Sequence, residues 1–553
     1  MEKIESFIER NSLKWFFFIF FIAIFFRIFN ISVPSLWTDE ISTLWVSSAP
    51  GLKDVWERAS ATQGMHPLYF LLQHIVISFL PESETVIRGI SCTASIISVF
   101  LIFWLAKIIF NDEIRPLISA AIFAIHSEAI YYAQEARPYA LAMMFALSSM
   151  ISFFGLRKKE KFLWISTLYV FFTVLTVYMH YTFASLLLFQ NIFIILTSFV
   201  RRFRDDESFS LKIPLKNWII LQLICVFLIA LSFAHINSLY HSRNAMTWIR
   251  DLDFQEAVTL FISMFDLKII IIMFCVSIIF YFFEKVSFLD ILKRLEFKPS
   301  FILLIWLLST FIFIFSVSKI LKTPLFDPRY MLFAMPAYYL LLANFLDIFR
   351  SDILRTSFPG TYFIVYLGLI STPLYADNGS FCNRIQHDWK RALLHIRANY
   401  QPDDAILLRY GEIKENWIPD DPNILIKEYV SAPFRIFYWK KGSNEELPPI
   451  FNLTFIWDKR FYPYYDKIFN ELCKHKRVWL IGVNPPNTNY KIQSVAKFMC
   501  DEFSFNKVWE SDFSGLYLCL LESNPILRQK YLIPSYYKEI REEIKKQKKM
   551  ENK

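Results

Sequence analysis

Between residues 15 and 33 the chain is almost wholly apolar, and Trp37-Thr38-Asp39-Glu40 follows almost at once. About 20 apolar residues suffice to cross the ~30 Å hydrocarbon core of a bilayer. The run therefore predicts a membrane-crossing helix. Two carboxylates just beyond it stand at the membrane–water boundary, where charge is costly unless it has a use. A base that must meet a lipid-borne donor and a water-borne acceptor would have to sit there.

The same apolar character runs through much of the 553-residue chain, which is 55% hydrophobic with 59 Phe. So many uninterrupted apolar stretches exclude an ordinary soluble enzyme and predict a polytopic α-helical membrane protein. The first run is too long for a cleavable signal and lacks a small-residue cleavage site. The net charge of +9 is modest. Its basic residues cluster between spans, so no nucleic-acid partner is expected. Cys92, Cys225 and Cys275 lie in apolar runs, whereas Cys382, Cys473, Cys500 and Cys519 lie in the C-terminal region. The latter allow three pairings among which the sequence does not choose. There is no CxxC to suggest structural zinc.

Apolar spans are predicted near 15–33, 89–110, 117–131, 139–156, 162–179, 183–200, 217–236, 268–283, 300–320, 330–349 and 358–374. The short stretch from His66 to Leu80 is read as an interfacial helix. With about eleven spans and an inner N-terminus, the clusters Arg157-Lys158-Lys159, Arg201-Arg202, Lys293-Arg294 and Arg350 fall inside, as the positive-inside rule requires. The polar and aromatic islands then share the outer face: Trp37-Thr38-Asp39-Glu40, His66-Pro67-Leu68-Tyr69, Arg88, Gln134-Glu135-Ala136-Arg137-Pro138-Tyr139, His180-Tyr181 and Asp327-Pro328-Arg329-Tyr330. Residues 1–375 are expected to form a transmembrane domain with an outer loop near 34–88. Residues 376–553 are expected to form a soluble α/β domain outside the membrane. Its strands are read at Ala405–Arg409, Asn423–Val430, Leu453–Trp457, Val478–Gly482 and Gly515–Leu521, and its helices at Asp388–Tyr400 and near 463–474 and 489–502.

Each island has a plain reading beside a functional one. Asp39 and Glu40 are either solvated loop residues or a general base with an orienting neighbour, since adjacent carboxylates rarely point the same way. His66 starts an amphipathic helix with Pro67 in its first turn, or contacts substrate. Arg88 either anchors its span in headgroups or binds phosphate through its planar fork. Glu128 lies within an apolar stretch, where an acid is a functional candidate by default. Glu135 follows seven residues later and shares its face if helicity persists. Arg137 pairs with Glu135 or serves as a second phosphate ligand. His180 and Tyr181 are belt residues or sugar contacts, and Arg329 is the third outer-face arginine. The loop 237–267, with His241, Arg243, Trp248 and Arg250, is long enough to close over a site. No phosphate-cradling glycine loop is present, which disfavours a nucleotide-sugar donor.

In their order and common face these islands resemble the family 39 glycosyltransferases, which include the protein O-mannosyltransferases and the aminoarabinose transferases of lipid A. The likeness covers roughly residues 10–350. It implies the GT-C fold, a polyprenyl-phosphate-linked hexosyl or pentosyl donor, inversion at the anomeric carbon and an extracytoplasmic acceptor that is a lipid, a glycan or a protein. It implies that Asp39 is the base and that Arg88 and Arg137 hold the donor phosphate. His66, Tyr69, Glu128, Glu135, Tyr139, His180, Tyr181, Arg329 and Tyr330 are candidate substrate contacts. Leu68 stands where a second Pro is frequent in the family. No additional lumenal repeat module is evident, which points to a bacterial member in the inner membrane. No cofactor is called for. Asp39, Glu40, His66 and Glu135 could gather a divalent ion, but no ligand spacing demands one, and the likeness leans metal-free. The alternative is a lipid or solute transporter, which would need polar residues in mid-span and repeated halves.

Overall fold

The computed structural model describes residues 10–63, 65–157, 161–203, 213–232, 249, 251–265, 297–346, 387–410, 429, 431–434, 448–453, 462–484, 491–503 and 505–523. The expected spans 268–283 and 358–374, the residues His241, Arg243, Trp248 and Arg250, Cys382 and most of the expected strand 423–430 lie outside them. The chain divides into two compact units. One comprises Met1–Val33 with Val46–Arg384, and the other Pro34–Trp45 with Ile385–Lys553.

In the first unit, four described helices are long and apolar enough to cross a membrane: Glu84–Phe110, Phe162–Met179, Tyr181–Ser198 and Pro299–Leu321. The shorter apolar helices Ser12–Ile28, Ile114–Ile125, Tyr139–Gly155 and Leu215–Ala230 accompany them. On Ser12–Ile28, Phe16, Ala23 and Arg27 are buried, while Phe17, Phe18, Phe21 and Phe25 are exposed. So much exposed apolar surface on one helix suits a hydrocarbon surrounding better than water. The expected interfacial helix is Leu68–Phe79. At 1.5 Å per residue its length is about 18 Å, too short to cross ~30 Å of hydrocarbon.

Two expected spans differ in detail. The run 117–131 is broken at His126, whose backbone is extended, into Ile114–Ile125 and Ser127–Ala133. His126 caps the second piece, its ring Nδ1 accepting the Glu128 N–H at 3.2 Å. The run 330–349 opens as a 3-10 helix, Pro328–Ala334, before Met335–Leu346. Asp327 caps it by accepting the Arg329 N–H at 3.0 Å, and Pro328 occupies the first turn.

Helix ends leave carbonyls without intrahelical partners, and an apolar surrounding offers no water to take them. Arg27, fully buried, answers this at the His126 break. Its Nη1 donates to the Ala124 carbonyl at 2.8 Å, its Nη2 to Phe123 at 3.0 Å and its Nε to Ser95 Oγ at 2.8 Å. The end of its own helix is answered in return. Gln134 Nε2 donates to the carbonyls of Phe26, Arg27 and Phe29 at 3.1, 3.2 and 2.8 Å. Arg88 Nη1 donates to Ile31 at 2.7 Å.

The second unit is built on a five-stranded sheet of order β2-β1-β3-β5-β4. The strands are β1 (Asp404–Arg409), β2 (Ile450–Asn452), β3 (Arg477–Val483), β4 (Phe505–Phe513) and β5 (Leu516–Ser523). β1 runs parallel to β2 and β3, and β5 is antiparallel to β3 and β4. All six residues of β1 are buried, as expected for a strand covered on both faces. On one face Leu407, Leu480 and Leu521 pack with Phe469 and Leu472 of helix Tyr462–Leu472 and with Met499 of helix Ile492–Phe503. Gly482 pairs with Arg409, and a Cβ there would come within 2.5 Å of the Arg409 Cβ. β4 has no counterpart among the expected strands. It is an edge strand whose Asn506, Lys507 and Glu510 are exposed, and such charge blunts an edge against mispairing. In place of the expected strand at Leu453–Trp457, the strand runs over Ile450–Asn452 and ends before Leu453, and residues 454–457 lie outside the described ones.

Replacing Arg27 with Leu strands the Phe123 and Ala124 carbonyls in an apolar interior. A loss of about 2–4 kcal/mol is expected, read as a lowered thermal unfolding midpoint in detergent. An unchanged midpoint would show that the clasp contributes nothing.

Candidate active site

In the first unit Tyr139 and Tyr330 lie against His180. This residue ends helix Phe162–Met179 in an extended conformation, because the 3-10 turn Tyr181–Ala184 begins there. Its Nδ1 lies 2.7 Å from Thr182 Oγ1. Its ring centroid is 5.3 Å from that of Tyr139 and 4.9 Å from that of Tyr330. Burial first, then the Arg137 and Arg329 charges, push the imidazole down to about 3, so it is neutral. The neutral histidine thus sits between two tyrosine rings, within electrostatic reach of two guanidiniums.

Each neighbour is held in place. Arg137 Nη1 donates to Gln63 Oε1 at 3.1 Å, and its carbonyl accepts the Ser91 hydroxyl at 2.9 Å. Ser91 Oγ lies 3.4 Å from Tyr69 Oη, which accepts Gln73 Nε2 at 3.1 Å. Arg329 Nε donates to Asp327 Oδ1 at 2.9 Å. Tyr139 also lines a cavity of about 30 Å³ together with Glu128, Tyr132 and Ser95, room for roughly one water. His66 stacks on Tyr178 at 4.3 Å, and its Nδ1 accepts the Leu68 N–H, the first of helix Leu68–Phe79, at 3.2 Å. Tyr181 is hydrogen-bonded to Ser232.

One geometric expectation, the shared helical face of Glu128 and Glu135, is not met, and Arg88 and Arg137 each have a definite contact. Arg88 is 1% exposed and gives Nη1 to the Ile31 carbonyl, so part of its fork fixes the exit of the first helix. Glu135 does not share the helical face of Glu128, because helix Ser127–Ala133 ends before it. Its carbonyl instead accepts the Arg137 N–H at 2.8 Å in a tight turn. Arg137 meets Gln63, a residue the motifs did not single out.

Asp39 and Glu40 belong to the second unit, in the first turn of helix Thr38–Ser47. Glu40 is fully buried, and its Oε2 accepts the Trp37 N–H at 3.4 Å, half of a capping box. Asp39 is only partly buried. Negative charge in this first turn suits the helix dipole. Within the same unit Thr38 Oγ1 accepts the Trp389 indole N–H at 3.3 Å and lies 3.4 Å from His387 Nδ1, while Tyr410 Oη donates to the Thr38 carbonyl at 3.1 Å. Among the described residues no three His, Cys, Asp or Glu are grouped to hold a metal ion.

Sequence reading passed over Arg27, although an arginine inside a phenylalanine-rich run is itself a signal. It also missed Gln63, Ser91, His387, Trp389 and Tyr410, whose roles arise from contacts far apart in the chain.

No family model and no curated protein matches the chain. Among solved structures it is similar to ArnT from Cupriavidus metallidurans bound to undecaprenyl phosphate, with 9% identity and a TM-score of 0.49 over 93% of this chain and 99% of that one. The apo state of the same protein gives 10% and 0.49, covering 93% and 100%. An Archaeoglobus fulgidus oligosaccharyltransferase in complex with Zn and sulfate gives 14% and 0.45, covering 84% and 67%. Likenesses of this size establish neither a family nor an activity.

Burial pushes the His387 imidazole down to about 4, against the pull of the Asp39 and Asp512 carboxylates. Unfolded, the same ring takes a proton near 6.5. Between these values the unfolded chain binds more protons, so stability falls as pH drops from about 6.5 toward 4. The expected loss is of order 2 kcal/mol. Unfolding midpoints across this window should drop less in His387→Gln than in the wild type. Parallel curves would contradict the assignment.

Proposed function

We propose that the chain is a GT-C glycosyltransferase that moves a sugar from a polyprenyl-phosphate donor to an extracytoplasmic acceptor. The observation that carries this reading is the buried His180 between Tyr139 and Tyr330, where the charges of both Arg137 and Arg329 reach its ring. Paired guanidiniums are the side chains best shaped for a phosphate. The aromatic walls suit the apolar face of a sugar ring, and the neutral imidazole can exchange a hydrogen bond with a hydroxyl. Arg88, bound to the Ile31 carbonyl, sets the helix exit in this scheme.

In the proposed step Asp39 accepts the proton of the acceptor's hydroxyl or amine. The freed lone pair forms the new bond to the anomeric carbon. The bond from that carbon to the phosphate oxygen breaks, and polyprenyl phosphate leaves with the electron pair. A single displacement of this kind inverts the anomeric centre. Glu40, engaged at the helix start, orients the turn. Arg137 and Arg329 offset the charge that develops on the phosphate, and such preorganised stabilisation is commonly the largest catalytic contribution. In this reading the His180 site, Asp39 and the C-terminal unit all face the extracytoplasmic side of a bacterial inner membrane. The sidedness rests on the distribution of lysine and arginine between spans.

Asp39→Asn keeps the shape of the side chain and removes the base. Turnover of a polyprenyl-phosphate sugar by the purified variant should fall by about 10²–10⁴-fold, with an unchanged unfolding midpoint. Near-normal turnover would remove Asp39 from the chemistry. Solute movement into vesicles without any glycosylated product would replace the reading with a transporter.

A further inference from the structure

The C-terminal unit has a strand order in which β1 lies between its two parallel neighbours, β2 on one side and β3 on the other. The chain therefore moves from β1 to β2 on one side and then returns across β1 to β3 on the other, so the direction of strand addition reverses at β1. In open α/β sheets such a switch point opens a crevice beyond the carboxyl ends of the strands, and that crevice is where a ligand binds. Here the carboxyl end of β1 is marked by Arg409 and Tyr410, that of β3 by Gly482, and the start of β5 by Leu516, which pairs with both Val483 and Phe513. Helix Trp389–Asn399 feeds β1, so its N-terminal residues return to this same edge. The Asp388 N–H donates to the Phe513 carbonyl at 3.2 Å.

The chain itself sits at that edge. Thr38 takes the Trp389 indole N–H and the Tyr410 hydroxyl, and it faces His387. The Lys390 N–H donates to Ser35 Oγ at 3.1 Å. The Ser42 hydroxyl donates to Tyr429 Oη at 3.4 Å, and the Trp45 ring lies 5.3 Å from that of Tyr429. A segment of twelve residues, Pro34–Trp45, is thereby counted with the C-terminal unit although some 340 residues separate them in sequence.

We propose that the C-terminal domain uses its switch-point edge as a mount for the helical turn bearing Asp39, and that His387 and Trp389 are positioning residues for that carboxylate. Both grip Thr38, the residue next to Asp39. A shift of Thr38 along the sheet edge would swing the Asp39 side chain, and misplacement by about 1 Å can cost on the order of 10²-fold in rate. The domain thus serves as the support of the catalytic turn. This rests on the reading of Asp39 as the base. The neutral state of the His387 ring is consistent with a hydrogen-bonding role beside Thr38, with Asp39 and Asp512 the carboxylates whose charge reaches it.

The test uses the full-length protein in detergent with a polyprenyl-phosphate sugar. His387→Ala and Trp389→Phe should each lower kcat by about tenfold, with the donor KM within about twofold. His387→Asn, which keeps a hydrogen-bonding group near Thr38, should recover most of the loss. The double variant Asp39→Asn/His387→Ala should be no slower than Asp39→Asn alone, because a positioning residue acts only through the group it positions. Additive losses, or wild-type kcat in both single variants, would overturn the proposal. Should Asp39→Asn itself keep transferring, the base assignment fails and the mount is judged by amide exchange alone. Faster exchange of residues 38–45 in His387→Ala upholds it, and unchanged exchange overturns it.

Discussion

Everything in the membrane-embedded unit depends on how its helix ends are satisfied. A carbonyl at the end of a helix has no partner within that helix, and in hydrocarbon no water replaces one. Arg27 and Gln134 solve the problem reciprocally. Arg27 reaches from the first helix to the carbonyls of Phe123 and Ala124, and Gln134, from beyond the break, reaches back to those of Phe26, Arg27 and Phe29. Arg88 then takes the carbonyl of Ile31. The exit of the first helix is thus fixed at several successive points. Arg27 also fixes the break at His126, beyond which Glu128 lines the same cavity as Tyr139.

The His180 cluster depends on that frame. Arg137 lies three residues after Gln134, in the turn between helices Ser127–Ala133 and Tyr139–Gly155. Its carbonyl is held by Ser91 on the helix that also carries Arg88. The groups that meet the carbonyls of the first helix therefore also set where a guanidinium stands beside His180. Arg329 arrives from a different part of the chain, on a 3-10 turn that Asp327 caps. Arg329 is paired with Asp327, and in the proposed reaction the donor phosphate is drawn by the positive field of the two guanidiniums.

Much of this was legible in the sequence because it is carried by local pattern. The apolar runs announce themselves by length, the short stretch 66–80 by its brevity, and the outer islands by polar and aromatic residues beside spans. β1, β3 and β5 follow from compact runs of buried residues such as Ala405–Arg409. What escaped depends on distant contacts. The arginine in the first span reads as a blemish in a phenylalanine run until the carbonyls of Phe123 and Ala124 are placed beside it. The break at His126 carries no proline or glycine. β4 alternates weakly and is charged because it is an edge, so it lacks the apolar signature of an inner strand. The grip of His387 and Trp389 on Thr38 joins residues some 350 positions apart, and no spacing rule could reveal it.

The central functional claim is that Arg137 and Arg329 recognise a phosphate at the His180 site. The most direct measurement compares the affinity of the purified protein for polyprenyl phosphate and for the matching polyprenol, in the wild type and in Arg137→Gln/Arg329→Gln. The account predicts that the wild type prefers the phosphate by at least about tenfold, a difference of ~1.4 kcal/mol, and that the double variant loses this preference while still binding the polyprenol. An equal preference in both proteins would contradict it.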